Sequence, residues 1–175
     1  MRKVWSLALG AALVASPAAE VFAAGEKAVA EIKDASGKSL GTVEVVTARG
    51  GALIKIKLAG LPPGAHGIHF HEMGSCEADF SGAAAIHNPL GAAHGFLNED
   101  GPMAGDLPNI FASASGDVEA ELLSPFVTLS PDTEEQLLDA DGTSIVIFEK
   151  ADDHLTDPEG EAGARIACGT LGAAK

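Results

Sequence analysis

The sequence predicts an all-β protein, an antiparallel sandwich or barrel of about eight short strands. Three observations predict it. Apolar and polar residues alternate with period two in many short runs. Gly- and Pro-rich turn signals separate those runs at short intervals. A helical start signal occurs only once. A chain of 175 residues suits one domain, and 46% hydrophobic residues suffice for a packed core.

Taken in order, residues 1–23 read as a secretory signal peptide. Arg2 and Lys3 give it a positive start, and residues 4–15 form an apolar run too short to span a bilayer. Pro17 breaks the run, and Val21 and Ala23 are the small residues of a cleavage site. The mature domain is then 24–175. Strands are predicted at 28–33, 41–46 and 52–58, with turns at Ser36-Gly37 and Arg49-Gly50-Gly51. The third run, ALIKIKL, sets Ile54, Ile56 and Leu58 on one face and Lys55 and Lys57 on the other. Further strands are predicted at 67–71, 110–113, 118–123, 144–149 and 165–170. A short surface helix is predicted over 130–138, capped by Ser130 with Pro131 at its first position. Residues 74–108 and 151–163 break the strand rhythm, and loops this long are usually functional.

Charge narrows the partners. The net charge is −14. Cleavage leaves 9 basic and 24 acidic residues, a net −15. Nucleic acid needs a basic footprint, and an anionic membrane surface repels such a chain. Between Leu58 and Glu149 there are fifteen acidic residues and no Lys or Arg, a surface that attracts cations. Export implies an oxidising compartment, periplasmic or extracellular. There Cys76 and Cys168 are expected to pair, the alternative being two buried free thiols.

Five of six histidines, His66, His69, His71, His87 and His94, fall within 29 residues, which points to metal. His69 and His71 are i and i+2 on a strand, so both imidazoles project from one face. His66 lies on the opposite face and reads as a hydrogen-bonded core residue.

The stretch 60–71, GLPPGAHGIHFH, resembles the strand that enters the copper site of Cu/Zn superoxide dismutases. Gly74-Ser-Cys76, Gly105-Asp-Leu-Pro-Asn109 and Gly163-Ala-Arg-Ile-Ala-Cys-Gly169 resemble later parts of that family's pattern, in order. The resemblance implies an eight-stranded Greek-key β-barrel, a Cys76–Cys168 disulfide, and copper and zinc on the long loops. It implies superoxide as substrate, converted to oxygen and hydrogen peroxide. It places copper on His69 and His71, zinc on His94 and Asp106, a carboxylate linking the two sites at Asp152, and an anion guide at Arg165. A salt bridge or carbonyl cap is the alternative role for Arg165.

Three ligand positions depart from the family pattern. The spacing H-x7-H-x8-H-x2-D is matched by Ile86, His94, Met103 and Asp106, so Ile86 replaces the bridging His and Met103 a zinc His. Phe148 stands at the fourth copper position. Four substitutes can be weighed: His87 beside the missing bridge, His154 in the acidic loop, and the thioethers of Met73 and Met103, acceptable to Cu(I). Full occupancy by both metals is not expected. Three functions follow: an exported superoxide dismutase-like protein with altered metal binding and little or no dismutation, a working dismutase with substitute ligands, or a metal-free binding barrel. The sequence leaves open a homodimer or another protein partner.

Overall fold

The computed structural model describes residues 27–174 apart from 78 and 132; the expected signal peptide lies outside them. Ten strands form: β1 Lys27–Asp34, β2 Ser39–Ala48, β3 Gly51–Leu58, β4 Gly64–His66, β5 Ile68–His71, β6 Ile110–Ala112, β7 Val118–Ser124, β8 Ser144–Phe148, β9 Arg165–Thr170 and β10 Gly172–Ala173. Eight belong to one antiparallel sheet ordered β5-β8-β9-β1-β2-β3-β7, with β10 on β1. β4 pairs with β6. β4 runs directly into β5 and β6 leads to β7, so this small ladder joins the two ends of the large sheet. β3 lies beside the β7 end of the large sheet, and the chain passes through β4 to β5 at the opposite end, the crossover of a Greek key.

Alternation places the side chains. On β3, Ala52, Ile54, Ile56 and Leu58 are buried, while Lys55 and Lys57 face outward opposite Glu121 and Glu119 of β7. On β5, Ile68 and Phe70 point into the barrel; on β8, Ile145 and Ile147 do the same. The other faces carry His69 and His71 on β5, and Ser144, Val146 and Phe148 on β8. These faces are buried too, because the long loops cover them. Val146 and Phe148 pack there with Phe80, Ala83, Ala162 and Cys168 in a second apolar cluster.

The strand predicted over 67–71 is β5, Ile68–His71, and Gly67 lies just before it, where a Cβ would press on Ala162 and Asp152. One expectation is corrected. The predicted helix over 130–138 is absent. Its Ser130 does not cap; instead the Ser130 amide donates to Thr128 Oγ1. Residues 135–137 fold back on Thr128 through two backbone hydrogen bonds, and Leu137 is fully buried. Two isolated helical turns are marginal in water, and burying Leu137 prevails.

Candidate metal centre

The site is built on the outer face of β5. His69 and His71 emerge side by side, both fully buried. Two loop segments are pinned against the strand. The Phe70 amide donates to the Gly105 carbonyl, and the His87 amide to the Phe70 carbonyl. Ile86 is thereby bridged to His71, and Asp106 to His69.

Hydrogen bonds fix how each imidazole presents itself. His69 Nε2 donates to Asp152 Oδ2 at 2.8 Å. His71 Nδ1 donates to the Ala84 carbonyl at 3.1 Å. The remaining nitrogens, His69 Nδ1 and His71 Nε2, are buried without a partner. Burial first, then the charges of Arg165 and His69, push the His71 imidazole down to about 3, so it is neutral. Two buried lone pairs with no protein donor facing them suit a metal ion.

Phe148 is fully buried beside them. Its ring centroid lies 5.1 Å from that of His69 and 6.0 Å from that of His71. Ile86, 2% exposed, lies on the same side as His71. The two residues that replace ligands therefore line the pair as apolar surface.

Asp152 organises the centre. Its Oδ1 accepts from His94 Nε2 at 3.0 Å and from the His154 amide, while Oδ2 accepts from His69. Burial opposes its charge, but the bonds from His69 and His94 outweigh that and hold its carboxyl far below the usual range. His94 Nδ1 meets Asp106 Oδ1 at 2.8 Å. Burial again opposes, yet the two carboxylates raise His94 to about 10. Asp106 Oδ2 accepts from the Gly95 and Met103 amides. One donor atom each from His69, His94 and Asp106 lies within 4.8 Å of the others. That set is short of the four ligands of a closed zinc site.

The substitutes stand elsewhere. His87 is buried, with Nε2 unpartnered, but adjacent extended residues project oppositely, so it does not share the side of Ile86 and His71. Burial lowers its basicity against the charges of Asp139, Glu72 and Glu135. β5 ends at His71, and Met73 beyond it is 39% exposed. Met103 lines a small outer cavity of about 200 Å³ with Ile86, Glu72 and Glu159. His154 stacks near Phe96 and meets Asn109 through Nε2.

Arg165 is tied down. It donates to the Phe80 and Ala84 carbonyls at 2.9 and 2.8 Å and pairs with Glu159. Its guanidinium carbon lies 6.0 Å from the Phe148 ring centre. The salt-bridge and carbonyl-cap role is the one its contacts show. Cys76 and Cys168 form a disulfide. His66 bonds the Phe148 and Pro62 carbonyls, as a core residue should.

Three residues had escaped the sequence reading. Asn109 clasps the Asp152 backbone in both directions at 2.8 Å. Its signal was the Gly-Asp-Leu-Pro-Asn motif. Glu159 neutralises Arg165. Gly160, with φ +62°, sits where a Cβ would overlap Asp152 Oδ1. Nothing in the sequence singled out the last two.

Residues 39–171 match the family model described as copper/zinc superoxide dismutase. A Cu-Zn superoxide dismutase of Caulobacter vibrioides is 49% identical over 147 residues, covering 82% of this chain and 84% of that one. The superoxide dismutase-like protein YojM of Bacillus subtilis is 41% identical over 144 residues, covering 81% and 74%. A crystal structure of a superoxide dismutase-like protein from Bacillus subtilis superposes with a TM-score of 0.79 at 39% identity, covering 81% of this chain and 96% of that one. The chain belongs to the copper/zinc superoxide dismutase family.

Proposed function

We propose that this chain is an exported superoxide dismutase-like protein that holds copper on a reduced ligand set and dismutates superoxide slowly or not at all. The observation that carries this reading is the burial of Phe148 and Ile86 at the family's copper positions, beside two imidazoles with free lone pairs. His69 and His71 would hold the copper. His94 and Asp106 form at most a weak zinc site.

Copper, when bound, supplies the one-electron couple of the family's reaction. The chain's own residues serve that reaction poorly. No imidazole is shared between two metals, so no bridging group carries a proton. Arg165 is neutralised by Glu159 and boxed by carbonyls, and the 151–163 loop carries five acids. An anion gains nothing from that field. Residues 1–23 direct the chain to the periplasm or outside, consistent with the disulfide.

A metal-free barrel is the second reading, favoured by the tight packing of Phe148. The test is the double variant Ile86→His, Phe148→His, loaded with copper. Dismutation should rise at least about a hundredfold, the scale of a restored proton-transfer group. An unchanged rate in a folded, copper-replete variant would refute the reading.

A further inference from the structure

We propose that the His69–His71 pair is a cuprous-ion site, in which two imidazoles hold Cu(I) in low coordination against the Phe148 ring and the pocket rejects Cu(II). This rests on the reading above that copper is the metal the pair takes. Four observations converge on the +1 ion.

The first is the donor count. Among the described residues, the buried side-chain atoms of β5 and β8 without a partner are His69 Nδ1, His71 Nε2 and Ser144 Oγ. A serine hydroxyl is a weak, neutral donor. Cu(II) takes a tetragonal set of nitrogen and oxygen ligands, which two imidazoles do not provide. Closed-shell Cu(I) is satisfied by two.

The second is spacing. The two ring centroids lie 6.3 Å apart. Imidazoles opposed across one ion, with metal–nitrogen bonds of about 2.0 Å, place their centroids about 6.4 Å apart. A tetrahedral ion would draw the rings closer, and a tetragonal one lacks the donors counted above. The tautomers are set for this use, since Asp152 and the Ala84 carbonyl hold the other two nitrogens.

The third is charge. The cost of taking an ion out of water rises with the square of its charge, so Cu(II) loses about four times as much as Cu(I) in a pocket this buried. An imidazole ligand brings no negative charge of its own to offset that cost.

The fourth is the aromatic wall. The face of a Phe ring attracts a bare monovalent cation, most strongly when desolvated. Phe148 lies against both imidazoles and is itself fully buried. At the position of a lost ligand it supplies attraction without a bond and shuts out water. Copper so held stays reduced, as in a carrier or store rather than a cycling enzyme.

The experiment titrates the metal-free protein anaerobically with Cu(I) against a chromogenic Cu(I) chelator, and in parallel with Cu(II) followed by desalting. One Cu(I) per chain is expected, with less than a tenth as much Cu(II) retained. X-ray absorption of the Cu(I) form should show two nitrogens and no sulfur. Phe148→His should raise Cu(II) retention at least tenfold. The proposal is overturned by stoichiometric Cu(II) with a tetragonal electron-spin signal, by sulfur from Met73 or Met103 in the Cu(I) shell, or by a folded Phe148→His variant that still refuses Cu(II). Cu(II) bound without dismutation would sink this proposal alone. Retention of neither ion would also sink the copper reading above, leaving the metal-free barrel.

Discussion

Phe148→Ala is the most informative single change. The side chain is fully buried, walled by Phe80, Ala83, Val146, Ala162 and Cys168, with His69, His71 and Arg165 across its ring. Truncating a buried Phe costs about 3–5 kcal/mol, combining lost transfer energy with the cavity left behind. The site cannot collapse easily, because β8 is locked in register between β5 and β9. For a domain of this size each kcal/mol lowers the melting temperature by about 2–4 °C, giving a fall of about 6–20 °C. Calorimetry on metal-free protein reads it directly. Phe148→Leu, which keeps most of the volume, should fall by less than half as much. A melting temperature within 2 °C of the parent for Phe148→Ala would refute the idea that an aromatic plug organises the pocket.

Other consequences follow from the same geometry. Metal-free stability should peak near pH 6–7. His94 is raised from 6.5 to about 10, so its contribution is complete below 6.5 and drains away as pH climbs through 10. His71 is lowered from 6.5 to about 3, so its neutral form favours folding above 6.5 and that advantage is lost as pH falls toward 3. Denaturant titration across pH should show both limbs, and His94→Gln should flatten the alkaline one; an unchanged alkaline limb counts against the His94 pairing. The Cys76–Cys168 bond spans 92 residues and should contribute about 4.6 kcal/mol in the chain-entropy model. Cys76→Ser with Cys168→Ser should therefore melt at least 5 °C lower, and an equal melting temperature would contradict it. Glu159→Gln should free Arg165 and strengthen inhibition of Cu(I) uptake by nearby positive charge; uptake unaffected by the change would show that the ion pair does not tune the pocket.

Much of the fold was legible because strands announce themselves by period two. β3 reads directly from Ile54, Lys55, Ile56 and Lys57, and β5 from His69 and His71 flanking Phe70. Residues 130–138 misled because Ser130 and Pro131 are local signals, whereas the pairing of 135–137 with Thr128 is tertiary. At the site, period two put His69 and His71 on one face, and the family resemblance pointed to His94, Asp106 and Asp152, which are linked to His69 by hydrogen bonds. The family resemblance identified Ile86 and Phe148 as replacements. What sequence could not give was partnership across the loops: Glu159 on Arg165, Asn109 on the Asp152 backbone, and the space at Gly160 that admits the Asp152 carboxylate. Met73 depended on where β5 stops, which the hydrogen bonds of residues 83–85 decide.

Under the function proposed above, the altered ligand set costs this barrel its fast dismutation. The direct measurement is the rate of superoxide dismutation per bound copper, beside the Caulobacter vibrioides relative loaded and assayed identically. Loss of a positioned proton-transfer group alone lowers a rate by about 10²–10⁴. A per-copper rate at least a hundredfold below the relative's is expected. A rate within tenfold of it would refute the proposed function and require ligands that Ile86 and Phe148 do not supply.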